Sequence, residues 1–194
     1  MNAYDFDKTL YPRDSTNEFY FYSLVRHPSF LLDLPRTALA FLRHALGRIS
    51  KKRLREITFL SFGRIKDLEG EVERFWEGRR DRIYPYYRRI RRPDDVVISA
   101  SPEFLLKPIA RHLGFGTLIA SEYNPRVGRY SEREGSRCYG EGKPPRFLAL
   151  FPNAEIEEFY SDSLSDTPMA RLAKRAYLVK RGGTLAPWPE EALK

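Results

Sequence analysis

Asp5-Phe6-Asp7-Lys8-Thr9-Leu10 follows directly on Met1 to Tyr4, a short apolar-leaning run that reads as a strand. Side chains alternate across a strand, but both acids can converge once the backbone turns into the following loop. Carboxylates brought that close repel one another unless a cation or a shared proton compensates. Carboxylate and carbonyl oxygens are what Mg²⁺ selects. With such an ion present, one acid can attack as a nucleophile while its neighbour moves protons. Taken alone, the hexapeptide is also an ordinary solvated turn, so its meaning depends on the rest of the chain.

Three further segments bear on it. Val96-Val97-Ile98 is a β-branched run that stops at Ser99, and Ala100, Ser101 and Pro102 open an apolar-periodic stretch to Leu113. A strand-to-helix turn of this kind offers a hydroxyl and backbone N–H groups to an anion. Ser101 before Pro102 reads as the helix N-cap, which leaves Ser99 as the anion ligand. Gly140-Glu141-Gly142-Lys143 then places one lysine before an apolar stretch from Phe147 to Phe151. Last, Phe159-Tyr160-Ser161-Asp162-Ser163-Leu164-Ser165-Asp166 is a short strand running into two acids four residues apart.

The order of these features (acid pair, hydroxyl at a strand end, lysine, acid pair) resembles the haloacid dehalogenase superfamily of phosphotransferases over nearly the whole chain. That family's first motif, D-x-D-x-T, corresponds to Asp5, Asp7 and Thr9; its strand-end hydroxyl to Ser99; its lysine to Lys143; and its closing acids to Asp162 and Asp166. The resemblance implies that Asp5 is the nucleophile, carried through an aspartyl phosphate, and that Asp7 is the acid and base. It implies Mg²⁺ held by Asp5, the main-chain carbonyl of Asp7, and Asp162. Thr9, Ser99 and Lys143 would meet the substrate phosphate, with Lys143 also supplying catalytic charge, and Asp166 and Ser163 would stand behind these groups. Independently of the family, a phosphate dianion repels an attacking carboxylate, so the site must supply positive charge before attack.

The expected fold class is α/β: a Rossmann-like parallel sheet core with helices on both faces and an inserted helical cap after the first strand. Residues 1–13 and 93–194 would form the core, and residues 14–92, rich in aromatics and arginine, the cap. The expected core elements are strands Met1 to Tyr4, Val96 to Ser99, Thr117 to Ser121, Glu158 to Ser161 and Ala176 to Val179, with helices at Pro102 to Leu113, after Lys143, and at Thr167 to Lys174. A hairpin is expected through Arg126 to Tyr139. Loops at the carboxyl ends of the strands should carry the site.

With 194 residues, 42% hydrophobic and 31% charged, the chain can bury the core of one medium domain with a smaller insertion. A single cysteine, Cys138, excludes an intramolecular disulfide and suits a reducing compartment. With no signal peptide ahead of Asp5, a cytoplasmic location is expected. The formal charge of +8 and the run Arg79, Arg80, Arg82, Arg88, Arg89, Arg91, Arg92 among tyrosines raise a nucleic-acid surface. No nucleic-acid motif accompanies them, so a phosphate ester is the expected partner; a basic binding protein on a phosphatase-like scaffold is the alternative.

Leu31, Leu34, Ala38, Phe41, Ala45 and Ile49 recur at helical spacing, interrupted by Asp33, Arg36, Arg43 and Arg48. Charges this frequent break the run of about 20 apolar residues that a membrane span needs. The plain expectation is an amphipathic cap helix packed on its neighbours. The sharper one is a helix lying at a membrane surface, with peripheral contact through the cap. Phosphoserine phosphatases share the cap, but they carry a small residue where Lys8 stands and a glutamate where the chain offers Asp14. Bacterial phosphatidylglycerophosphate phosphatases look closer around Tyr160-Ser161-Asp162-Ser163, Asp166 and Pro168. The expected substrate is therefore a phospholipid headgroup phosphate or a small phosphorylated metabolite.

Overall fold

A computed structural model describes residues 1–131 and 138–193. Strand β1 (Ala3–Tyr4) is followed by five helices: α1 (Ser15–Arg26), α2 (Leu34–Ala45), α3 (Lys51–Phe59), α4 (Leu68–Glu77) and α5 (Pro85–Ile90). The chain continues through β2 (Val96–Pro102), α6 (Glu103–Leu113), β3 (Thr117–Ser121) and the small hairpin β4 (Tyr123–Asn124) and β5 (Arg129–Tyr130). It ends with α7 (Lys143–Leu150), β6 (Ile156–Ser161), α8 (Thr167–Ala170), β7 (Ala173–Val179), β8 (Leu185–Pro187) and α9 (Glu190–Leu193).

Six strands form one sheet in the order β3-β2-β1-β6-β7-β8, parallel except for β8 at the edge. β1 lies between β2 and β6, with Ala3 opposite Val96 and Phe159, and Tyr4 opposite Val97 and Tyr160. Strand order therefore reverses at β1, where ligands of open α/β sheets bind beyond the carboxyl ends. The sequence after β1 meets the ends of β2 and β6 at that point.

The central strands are apolar on both faces because both are covered. Tyr4, Val97 and Tyr160 share one core with Phe19, Phe62, Phe75 and Trp76 from the helical insertion. Ala3, Val96, Ile98 and Phe159 face a second core with Phe147, Met169 and Trp188. Tyr4, Tyr160 and Tyr177 stack across three strands at 4.9 and 5.1 Å between centroids, each pair adding about 0.5–1.5 kcal/mol beyond burial. Side-chain caps fix several helix starts: Asp14 accepts from Asn17 N, Ser50 from Arg53 N, and Asp67 from Gly70 N.

Several expected boundaries shift. The helix expected to run from Thr167 to Lys174 stops at Ala170, and Lys174 is already in β7. There it reaches Glu155 and Glu157 at 2.8 and 2.9 Å, so cross-strand pairing overrides helix propensity. β2 runs on to Pro102, and the helix begins at Glu103. The hairpin closes between Tyr123 and Tyr130, earlier than expected; the rest of that expectation, at 132–137, lies outside the described residues. The insertion is built from helices of 6 to 12 residues, separated by short 3-10 segments except between α2 and α3, which a turn joins. Leu31, Leu34, Ala38, Phe41 and Ala45 are exposed, so the apolar stripe of α2 is not packed against neighbours.

Candidate active site

The loop after β1 closes on one carbonyl: Phe6 O accepts from Thr9, Leu10 and Tyr11 N at 3.3, 2.8 and 3.0 Å. Asp5 N still extends the sheet ladder, donating to Tyr160 O at 2.8 Å. Phe6 is fully buried, edge-on to Trp76 at 5.7 Å. With Phe6 anchored in the core, Asp5 and Asp7 on either side of it meet polar partners. Lys8 turns the chain in the left-handed region, φ 59°, which costs a non-glycine residue about 1 kcal/mol and marks a constrained loop.

Lys143, the first residue of α7, is 1% exposed. Its Nζ donates to Asp5 Oδ1 at 2.7 Å and to Asp166 Oδ2 at 2.6 Å. Burial alone would lower its pKa, but the two carboxylates outweigh it and hold the ammonium above its ordinary range. Asp166 also accepts from Ser161 Oγ at 2.7 Å, so its position is fixed from two sides. Thr9 is fully buried and donates to Asp5 Oδ2 at 3.5 Å while accepting from Asp162 N at 2.9 Å. One hydroxyl thereby ties the first acid to the main chain of the third.

Asp7 is held apart from that cluster. Its Oδ1 accepts from Ser15 N at 2.8 Å, at the start of α1, where the helix dipole favours an anion. Its Oδ2 accepts a short bond from Ser101 Oγ. Ser101, expected to cap α6, makes no cap bond there; α6 starts without a side-chain cap, and the serine serves Asp7 instead. Ser99 is buried and accepts from Ser101 N at 3.2 Å, which leaves its own O–H available to donate. Ser163 accepts from Ser165 N at 3.3 Å in the turn after β6, while Ser161 contacts Asp166.

Burial pushes Asp5 up to about 7; Lys143 opposes this and the Asp166 charge adds to it. Burial pushes Asp7 up to about 6, helped by the charge of Asp14 and opposed by Ser101 and Ser15. Burial also raises Asp162, with Lys8 pulling the other way. Asp5 and Asp166 share one buried ammonium, and Asp7 and Asp162 have no ion pair among the described residues, a surplus of negative charge that suits a hard divalent cation. Among the described residues, no three acidic, histidine or cysteine side chains close on a single point. A pair of carboxylates completed by a main-chain carbonyl, the donor set expected from the sequence, is a different kind of site and is compatible with this arrangement. Asp5, Asp7 and Asp162 are the residues that would hold the ion.

Sequence reasoning missed Ser15, Ser101 and Ser161 as partners of the acids. Ser101 stands two residues beyond Ser99 on the same strand, and that period-two spacing was the available signal.

A doubly covered, mostly parallel sheet with buried carboxylates at its topological switch point defines a doubly wound α/β protein with an acidic site at the carboxyl ends of its strands. The family model of haloacid dehalogenase-like hydrolases matches residues 3–171, and the chain belongs to that family. It is 35% identical over 106 residues to a probable phosphatase of Mycobacterium tuberculosis (strain H37Rv), covering 50% of this chain and 37% of the relative. The chain thus spans well under half the length of that relative. A solved protein of unknown function from Bordetella pertussis Tohama I superposes with a TM-score of 0.72 at 24% identity, covering 91% of this chain and 87% of the other. A phosphoserine phosphohydrolase-like protein from Francisella tularensis shares the fold at a TM-score of 0.54 and 15% identity, with 91% and 86% covered.

Proposed function

We propose that this chain is a Mg²⁺-dependent phosphomonoester hydrolase working through an aspartyl phosphate. What carries the reading is the buried Lys143 between Asp5 and Asp166, with Asp7 held separately by Ser101 and Ser15. Asp5 attacks phosphorus, the bond to the alcohol oxygen breaks, and Asp7 gives its proton to the departing alkoxide. Water then attacks the acyl phosphate, Asp7 takes a proton from it, and phosphate leaves with Asp5 restored. Ser99 donates to a phosphoryl oxygen, and Lys143 offsets the negative charge gathered around Asp5. Thr9 keeps Asp5 and the Asp162 segment in register. Mg²⁺, when bound at Asp5, the Asp7 carbonyl and Asp162, supplies further positive charge against the phosphoryl oxygens.

In this reading residues 14–92 act as a cap over a core of residues 1–13 and 93–194. Its substrate is the headgroup phosphate of a lipid, presented at a membrane surface. The support is α2, whose buried residues are Thr37 and Ala40 while Phe41, Leu42 and Leu46 are 55%, 57% and 58% exposed. Among the described residues, no helix is long and apolar enough to cross a membrane. An exposed apolar face flanked by Arg43, Arg48 and Lys51 suits peripheral contact with anionic lipid.

Phosphate release from an aryl phosphate, with and without Mg²⁺, tests the reaction. Asp5→Asn should abolish release while leaving the thermal unfolding transition cooperative. Unchanged turnover in that variant removes Asp5 as the nucleophile. Beryllofluoride should stabilise the wild type only when Mg²⁺ is present; no shift under either condition favours the basic binding protein.

A further inference from the structure

A cavity of about 510 Å³ lies between α3 and the carboxyl ends of β2 and β3. Lys51, Lys52 and Arg55 line one side, Ala100 and Ser121 the other, and Tyr139 closes an edge. Ala100 stands between Ser99 and Ser101, so this wall belongs to the strand end that holds Asp7. Ser121 accepts from Cys138 N at 3.2 Å, which ties the other strand to the segment leading into Lys143. The cavity therefore adjoins the acid cluster without containing it.

Its charge is one-sided. Among the described residues, no acidic side chain lines it. Lys52 reaches Glu56 only at 3.8 Å, and Lys51 lies over the Tyr139 ring at 5.8 Å. Arg55 is half-buried and, among the described residues, makes no ion pair. An arginine partly withdrawn from water without a counter-ion carries a desolvation cost that an anionic ligand would offset. The transferred phosphoryl group already has Lys143 and Ser99, and the cavity is of a size that holds more than a single phosphate.

We propose that this cavity receives a second anionic group on the alcohol portion of the substrate, so that the enzyme prefers phosphomonoesters carrying a further phosphate-type anion. The inference rests on the phosphatase reading and deepens it. Lys51 and Arg55 grip the distal anion, and Lys52 adds long-range attraction.

Phosphate release is measured with Mg²⁺ on propyl phosphate, on 1,3-propanediol bisphosphate, and on the same alkyl phosphate ending in a carboxylate. The wild type should favour the bisphosphate over propyl phosphate by more than about tenfold in kcat/KM, the scale of one or two charge-assisted hydrogen bonds. The carboxylate should stay close to propyl phosphate; a carboxylate as good as the bisphosphate would overturn the preference for a phosphate-type anion. Lys51→Gln with Arg55→Gln should bring the ratio close to one; a ratio cancels any general loss of folded enzyme. A wild-type ratio near one, or a preference that survives the double substitution, overturns the proposal. Calorimetry of the bisphosphate with Asp5→Asn, in the presence and absence of the two glutamines, gives a readout independent of turnover. Glutamine-sensitive binding without hydrolysis of any ester would keep the cavity assignment and sink the phosphatase reading. Hydrolysis of all three esters with equal efficiency would do the reverse.

Discussion

Lys143 Nζ stands 2.7 Å from Asp5 Oδ1 although 138 positions separate the two residues. The same ammonium lies 2.6 Å from Asp166 Oδ2, so the start of α7 is pinned to the ends of β1 and β6 by one cation. Each charge is buried, and each is tolerable only because the others are present. Lys143→Met should therefore cost about 3–5 kcal/mol in urea unfolding. Adding Asp166→Asn to that variant should recover part of the loss, because one stranded carboxylate disappears. A cost below about 1 kcal/mol for Lys143→Met would mean that the buried pair is not what holds α7.

The metal-free protein should become more stable as the solution is acidified from about pH 8 to about pH 5. Asp5 is pushed up to about 7 and Asp7 to about 6 in the folded state, both above the ordinary value of about 3.9. Folded protein then binds protons that the unfolded chain does not, and each such proton contributes about 1.4 kcal/mol per pH unit within the window. Asp33, held below its ordinary range by Arg64, works in the opposite direction and only at lower pH, where its contribution is lost. Mg²⁺ competes with protons for the carboxylates of Asp5 and Asp162, both raised by burial, so the rise in Tm on adding it should be largest near pH 8 and fade toward pH 5. A Tm gain from Mg²⁺ that grows with acidity would contradict the assignment of Asp5 and its neighbours as ligands.

How much of this was legible in the sequence follows from which interactions are local. Val96 to Ile98 announced a strand because β-branched residues buried on both faces have one reading, and Asp5, Asp7, Lys143 and Asp166 stood out by order and type. Ser101 was misread because two good local uses competed for it: a serine before a proline is a plausible cap, and only the fold reveals that Asp7 is within reach. Lys174 reads as helical from its neighbours because its partners, Glu155 just before β6 and Glu157 within it, are remote in sequence. The exposure of Phe41 could not be read either, since periodicity places apolar residues on a face without saying whether anything covers it.

Ser101→Ala should separate leaving-group chemistry from attack. Ser101 donates to Asp7 Oδ2, and its loss leaves Ser15 N as the remaining hydrogen-bond donor to the carboxylate among the described residues. Protonating the departing oxygen matters for an alkyl phosphate, whose alkoxide is a poor leaving group, and little for an aryl phosphate. Turnover of the alkyl ester should fall by about tenfold while the aryl ester stays within about twofold, a fraction of the usual general-acid contribution. Equal losses on both esters would place Ser101 in phosphate binding or folding instead of behind the proton donor.

Phe41 and Leu42 on α2 are more than half exposed, and the residues this helix buries are Thr37 and Ala40. Replacing a core leucine costs several kcal/mol, but replacing an exposed one costs little. Phe41→Lys with Leu42→Ser should thus leave urea unfolding within about 0.5 kcal/mol of the wild type. If the face meets lipid, the same pair should lose flotation with vesicles of anionic phospholipid and leave turnover of a soluble aryl phosphate intact. Adding salt should weaken flotation of the wild type as well, because Arg43, Arg48 and Lys51 act across the headgroup layer. Flotation that survives both substitutions would move the contact elsewhere on the chain, and a large loss of stability would show that α2 is packed in solution.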